Sequence, residues 1–133
     1  MVDQSNVTPE VVTAFAAIHS KQLRWAIAKV EGTDIVLVKT GERDSPLTAL
    51  QAELGADPCY IVYDFEATRD DTSTLIKTCF ICYSPDECTS MPKKFELQNF
   101  KGSVKAKVSS PQEMQINDKA DLTESEFRDK FNL

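Results

Sequence analysis

CYIVYDFEA at residues 59–67 and LIKTCFICY at residues 75–83 decide the fold. Both runs are rich in β-branched and aromatic residues, apolar nearly throughout, and joined by the polar stretch TRDDTST at 68–74. A strand that faces water on one side alternates apolar with polar residues, and these two do not. They are therefore expected to be buried on both faces, which requires helices packed on each side of the sheet. Asp70 and Asp71, in the connecting turn, read as solvated turn residues.

Working outward toward the N-terminus, Asp57-Pro58 breaks the chain ahead of the first run. Before it, Ser45-Pro46 gives a cap followed by proline, Leu47, Leu50 and Leu54 keep helical spacing, and Gly55 stands where a short helix would end. RWAIAKV at 24–30 and IVLVKT at 35–40 flank the turn signal Glu31-Gly32-Thr33-Asp34 and read as a hairpin. Thr8-Pro9-Glu10 opens an amphipathic helix over 9–20, with Val11, Phe15 and Ile18 on one side.

Beyond the second run, Ser84-Pro85-Asp86 turns the chain. Phe95 and Leu97 alternate with Glu96, suggesting a short strand, after which Phe100, Val104 and Val108 form the stripe of a helix over 99–109. Met114 and Ile116 add a last strand. Leu122 to Phe127 spells a capping box with its staple, in which Thr123 caps, Glu126 reciprocates and Leu122 packs on Phe127, opening a helix to Phe131. The expected order is α-β-β-α-β-β-β-α-β-α. It describes a single α/β domain over 1–133, of α+β type, whose mixed sheet of about five to six strands is flanked by helices on both faces.

The chain has 133 residues, 41% of them hydrophobic, with 15 basic and 21 acidic side chains. That is an ordinary globular balance, with no apolar run of membrane-spanning length, and MVDQSNVTPE at the start lacks the apolar segment of a secretory signal. A cytoplasmic location is expected. The formal charge of −6 argues against generic nucleic-acid binding. Against it stands one basic stretch, KKFELQNFKGSVKAKV at 93–108, where Lys93, Lys94, Lys101, Lys105 and Lys107 accompany only Glu96. Such polarity steers a molecule patch-first toward an acidic surface. On a helix, Lys101 and Lys105 lie beside the apolar stripe and Lys107 on its other flank, while Gly102, Ser103 and Ala106 face outward. Gly102 costs about 1 kcal/mol relative to Ala inside a helix, a cost explained where another backbone approaches closely.

Cys79 and Cys82 spell C-x-x-C, but residues three apart on a strand point to opposite faces. His19 is the only histidine and there is no second C-x-x-C, so Cys59, Cys79, Cys82 and Cys88 read as small packing residues rather than metal or redox groups. No phosphate loop, nucleophile elbow or zinc-protease motif is present, and His19 has no partner for general-base chemistry. Neither enzyme activity nor a cofactor is expected.

Six segments in order resemble the actin-depolymerising-factor homology domain of the ADF/cofilin family. They are Ser5-Asn6-Val7, RWAIAKV with IVLVKTG, PCYIVYDFE at 58–66, CYSPDE at 82–87, KFELQNFKGSVKAKV at 94–108 and EMQIND at 113–118. The resemblance implies a mixed sheet flanked by helices, and a cytoskeletal protein that binds actin monomers and promotes filament depolymerisation and turnover. It implies contacts with monomeric actin from Lys94, Lys101 and Lys105, with Lys107 as a weaker addition, and from the N-terminal segment, where Ser5 matches the family's phosphorylated serine. A phosphate there would add about −1.5 to −2 charge against an acidic partner. A filament site would draw on Lys77 and on Glu126, Arg128 and Lys130, a thinner set than the family's. Gly102 departs from the acidic residue that many members carry at that position. CFICYSPDEC and DLTESEFRDKF also resemble glia maturation factor, which acts on the branched-actin nucleation complex, and the lysine cluster suits phosphoinositide headgroups. The chain is read as a monomer.

Overall fold

The computed structural model describes residues 6–68, 74–86, 88–108 and 112–131. Ser5, Asp70 and Asp71 lie outside the described residues. The elements are β1 (Asn6–Val7), α1 (Pro9–His19), β2 (Leu23–Glu31), β3 (Asp34–Glu42), α2 (Leu47–Ala52), β4 (Cys59–Thr68), β5 (Thr74–Tyr83), α3 (Met91–Lys105), β6 (Gln112–Ile116) and α4 (Glu124–Phe131), with one 3-10 turn at Lys119–Asp121 before α4. The strands form one mixed sheet in the order β1-β3-β2-β4-β5-β6. Its centre is antiparallel, while β1 joins β3 and β6 joins β5 in parallel at the two edges.

The two apolar runs are β4 and β5, paired in continuous register from Cys59↔Tyr83 to Thr68↔Thr74. Their alternate residues feed two separate cores. Ile61, Tyr63, Phe65, Cys79 and Ile81 pack with Leu50 and Leu54 from the α2 region and Phe127 of α4. Tyr60, Val62, Phe80 and Cys82 pack with Val11, Phe15 and Ile18 of α1 and Leu97 and Val104 of α3. Helices therefore cover both faces, as continuous apolarity in the strands requires. Cys79 and Cys82 fall into opposite cores, and all four cysteines are free and buried. Burial pushes the Cys59 and Cys79 thiols up to about 12 and Cys82 to about 11, so none of these three supplies a thiolate near neutral pH.

Gly32, at φ 68°, makes the two-residue turn of the β2–β3 hairpin. A different constraint acts at Gly41, which pairs with Trp25 across that hairpin. A Cβ on Gly41 would stand 2.1 Å from Cε2 of the buried indole. Gly41→Ala therefore forces Trp25 out of its place in the core and lowers the unfolding free energy by about 2–3 kcal/mol, read as a lower urea midpoint.

Several local expectations are corrected. Residues 95–97 are not a strand: α3 runs unbroken from Met91 to Lys105, so the helix begins eight residues earlier than its apolar stripe suggests and ends before 109. The alternation misleads because Phe95 faces solvent while Leu97 is buried, one helical side each. The place beside β5 is taken by β6. The parallel strand β1 was not anticipated. Thr8 does not cap α1; its hydroxyl donates to the Ile35 carbonyl at 2.8 Å, tying the helix start to β3. Ser45 does not cap α2 either, because its Oγ accepts from Trp25 Nε1 at 3.3 Å, and α2 stops at Ala52, short of Gly55. In α4, Thr123 Oγ1 does accept from the Glu126 amide at 3.3 Å, while the Thr123 amide donates to the Asp121 carbonyl.

Candidate functional site

The helix α3 begins where Ser90 Oγ accepts from the Lys93 amide and Pro92 fills a first-turn position that needs no amide donor. Leu97 and Val104, followed by Val108, bury its inner side, and Tyr60 donates its hydroxyl to the Leu97 carbonyl at 2.5 Å. With these residues fixed inward and Phe100 packed partly buried beside them, the opposite side of the helix reaches solvent.

At 100° per residue, Lys94, Lys101 and Lys105 fall within about 40° of one another and form one row along the helix. Beside them, about 80° further round, Met91, Phe95 and Gly102 form a second row. Met91 is 62% exposed and Phe95 63%, the two most exposed large apolar side chains described. Gly102 in that row is open to solvent: a Cβ there would meet nothing within 4 Å, so among the described residues no closely approaching backbone accounts for the glycine. An exposed aromatic ring and an exposed thioether thus stand beside a row of cations on one side of α3.

The lysines are not equivalent. Lys101 Nζ donates to Glu113 Oε2 at 3.0 Å and Lys105 Nζ to Glu113 Oε1 at 2.8 Å, so one carboxylate on β6 holds both. Those hydrogen bonds, from Lys105 first and then Lys101, hold the Glu113 carboxyl below the usual carboxylate range. Lys94 makes no ion pair among the described residues. Lys93 lies outside the row and is hydrogen-bonded to Asp57 at 2.9 Å. Lys107 sits past the end of α3, exposed and away from the row.

The other expected residues lie across the sheet. Lys77 alternates along β5 with Cys79 and so shares the face covered by α4. Glu126 and Lys130 line a shallow groove with Met114 and Gln115, and Arg128 is paired with Glu124 one turn earlier at 3.2 Å. The structure thus separates the two candidate sets: Lys94, Lys101 and Lys105 on one side, and Lys77, Glu126, Arg128 and Lys130 on the other. His19 is exposed at the last turn of α1. Among the described residues no group of His, Cys, Asp and Glu is arranged to hold a metal ion, and no helix is long and apolar enough to cross a membrane.

The family model described as cofilin/tropomyosin-type actin-binding protein matches residues 4–132. The chain belongs to that family. It is 30% identical to a cofilin of Mycosarcoma maydis over 130 residues, covering 95% of this chain and 93% of that relative. It is 28% identical to actin-depolymerizing factor 7 of Arabidopsis thaliana over 120 residues, covering 88% of this chain and 87% of that one. The crystal structure of Plasmodium berghei actin depolymerization factor 2 superposes with a TM-score of 0.84 at 21% identity, over 100% of both chains. This is a family of non-enzymatic actin-binding proteins. The relatives carry actin-depolymerizing-factor and cofilin names, and the glia-maturation-factor alternative is not favoured.

Three residues of this surface were missed by sequence reasoning. Met91 and Phe95 are spaced four apart just behind Ser90, whose hydroxyl does cap, with Pro92 in the first turn, a Ser-x-Pro start signal. Read that way, 91–105 is a helix and the pair shares its face. Glu113 gave no such signal, because its place beside Lys101 and Lys105 depends on the parallel pairing of β6 with β5.

Proposed function

We propose that the chain binds actin monomers through the exposed face of α3 and promotes filament depolymerisation and turnover without chemistry of its own. The observation that carries this reading is the pairing of the apolar Met91–Phe95 row with the lysine row Lys94, Lys101 and Lys105, on a member of an actin-binding family whose net charge is −6. The apolar row supplies the desolvated centre and the lysines meet an acidic rim. Lys107 would act at long range only. Ser5 would be the modification site, a phosphate there repelling the acidic partner. The reading takes the protein as a cytoplasmic, cytoskeleton-associated monomer. Filament contact through Lys77, Glu126, Arg128 and Lys130 is less supported, because Arg128 is already spent on Glu124.

A titration of actin monomers tests it. Lys101→Ala/Lys105→Ala weakens binding about tenfold or more, with less than about 1 kcal/mol change in stability, since the ion pairs lost are half-exposed. Wild-type binding also weakens as salt rises from low to physiological ionic strength. Unchanged affinity in the folded double variant would sink the site. The grip of two ammonium groups on one carboxylate also suits a phosphate, which supports phosphoinositide headgroups as a second ligand class. Competition between phosphoinositide-containing vesicles and actin would test that.

A further inference from the structure

Lys101 and Lys105 bracket Glu113 with one ammonium on each carboxylate oxygen, at 3.0 and 2.8 Å. This is how a pair of lysines would grip a carboxylate arriving from a partner. The seat is already taken by a residue of the chain itself, on the neighbouring strand rather than on the helix. All three side chains are partly exposed, so an incoming anion can reach the lysines without disturbing the core. Lys94, in the same row, makes no ion pair among the described residues.

From this arrangement we infer that Glu113 is a built-in competitor: it holds the Lys101–Lys105 pair in place and masks it, so that only an anion able to displace or share that seat engages the helix. The inference rests on the proposed actin-binding reading of α3. Masking lowers the reach of the patch toward acidic surfaces in general, because the three groups together carry one positive charge rather than two. It also sets a threshold that selects a partner whose apolar contacts with Met91 and Phe95 contribute the rest of the affinity. Glu113 is in this sense a specificity-determining residue for binding, not a contact residue.

Glu113→Gln keeps the shape of the side chain and removes its charge. Asp121→Asn, exposed in the turn before α4, removes one charge elsewhere and serves as control. With purified actin monomers at low salt, Glu113→Gln is expected to bind about two- to fivefold more tightly than wild type, with Asp121→Asn close to wild type. On a phosphocellulose column, Glu113→Gln elutes at higher salt than either. Equal affinity and equal elution of the two variants would overturn the inference, and so would weaker actin binding by Glu113→Gln with an unchanged melting temperature. Failure of wild type and variants alike to bind actin, with the column shift present, would instead reject the actin reading while leaving the masking intact. Should Glu113→Gln prove unstable, Glu113→Asp, which keeps the charge on a shorter arm, must show a smaller shift in the same direction.

Discussion

Phe95→Asp raises the dissociation constant for actin monomers by about 30-fold or more while leaving the melting temperature within a degree or so of wild type. The two halves of this expectation have different origins. Phe95 is 63% exposed in the free chain, so replacing it removes little that holds the fold together. In the complex the same ring, next to Met91 and rimmed by Lys94, occupies the apolar centre of the proposed surface, where large aromatic anchors carry most of the binding energy. Aspartate there loses the apolar contact and adds a charge of the partner's own sign. A truncation to alanine gives the first effect without the second and should lie between. If Phe95→Asp binds as wild type does, α3 is not the contact helix, whatever the lysines do.

Asp64→Ala lowers the unfolding free energy by about 3 kcal/mol, the largest effect expected on stability. Asp64 is the one buried charged residue described, 0% exposed, and lies on β4 among groups from β2, β5 and the turns that follow α1 and β3. Its Oδ2 accepts from Arg43 at 2.9 Å and Lys21 at 3.2 Å, its Oδ1 accepts from the Thr78 hydroxyl at 2.6 Å, and its backbone carbonyl accepts from Arg24 Nε at 2.6 Å. Removing the carboxylate leaves the mostly buried Arg43 with Glu66 as its one counter-charge among the described residues, and Thr78 without this acceptor. It also releases Lys21, held at φ 68°, a backbone conformation that a non-glycine residue adopts at a cost. The measurement is a urea titration, with the midpoint falling and the slope unchanged. A change below about 0.5 kcal/mol would show that the cluster is not a structural keystone. Asp64→Asn, which can still accept from Thr78, should lose less.

What the sequence made legible follows from how local each signal is. The two runs 59–67 and 75–83 predicted buried strands from their apolar composition, and the two cores confirm it for β4 and for Cys79–Tyr83, whereas Leu75, Lys77 and Thr78 are only partly buried and Ile76 is 36% exposed. The hairpin at Gly32 was legible for the same reason, since a two-residue turn requires a residue tolerant of positive φ. Caps were less legible. Thr8 and Ser45 are well placed to cap, yet each hydroxyl bonds a neighbouring element instead, Ile35 in one case and Trp25 in the other. Local propensity lost to tertiary contact there, as it did at Phe95-Glu96-Leu97. The lysine row was half legible. Lys101 and Lys105 follow from the apolar stripe, but Lys94 joins them only because α3 extends back to Met91. Glu113 was not legible, since no local pattern reports which side chain a parallel edge strand brings under a helix.

The most direct measurement is a nuclear magnetic resonance titration of the isotope-labelled chain with unlabelled actin monomers, following every assigned amide and methyl group. The account predicts that signals of Met91, Phe95, Gly102 and the neighbouring Lys94, Lys101 and Lys105 shift or broaden first, with the α4 face of Lys77, Glu126 and Lys130 little changed. Perturbation confined to β5 and α4, with α3 silent, would contradict it.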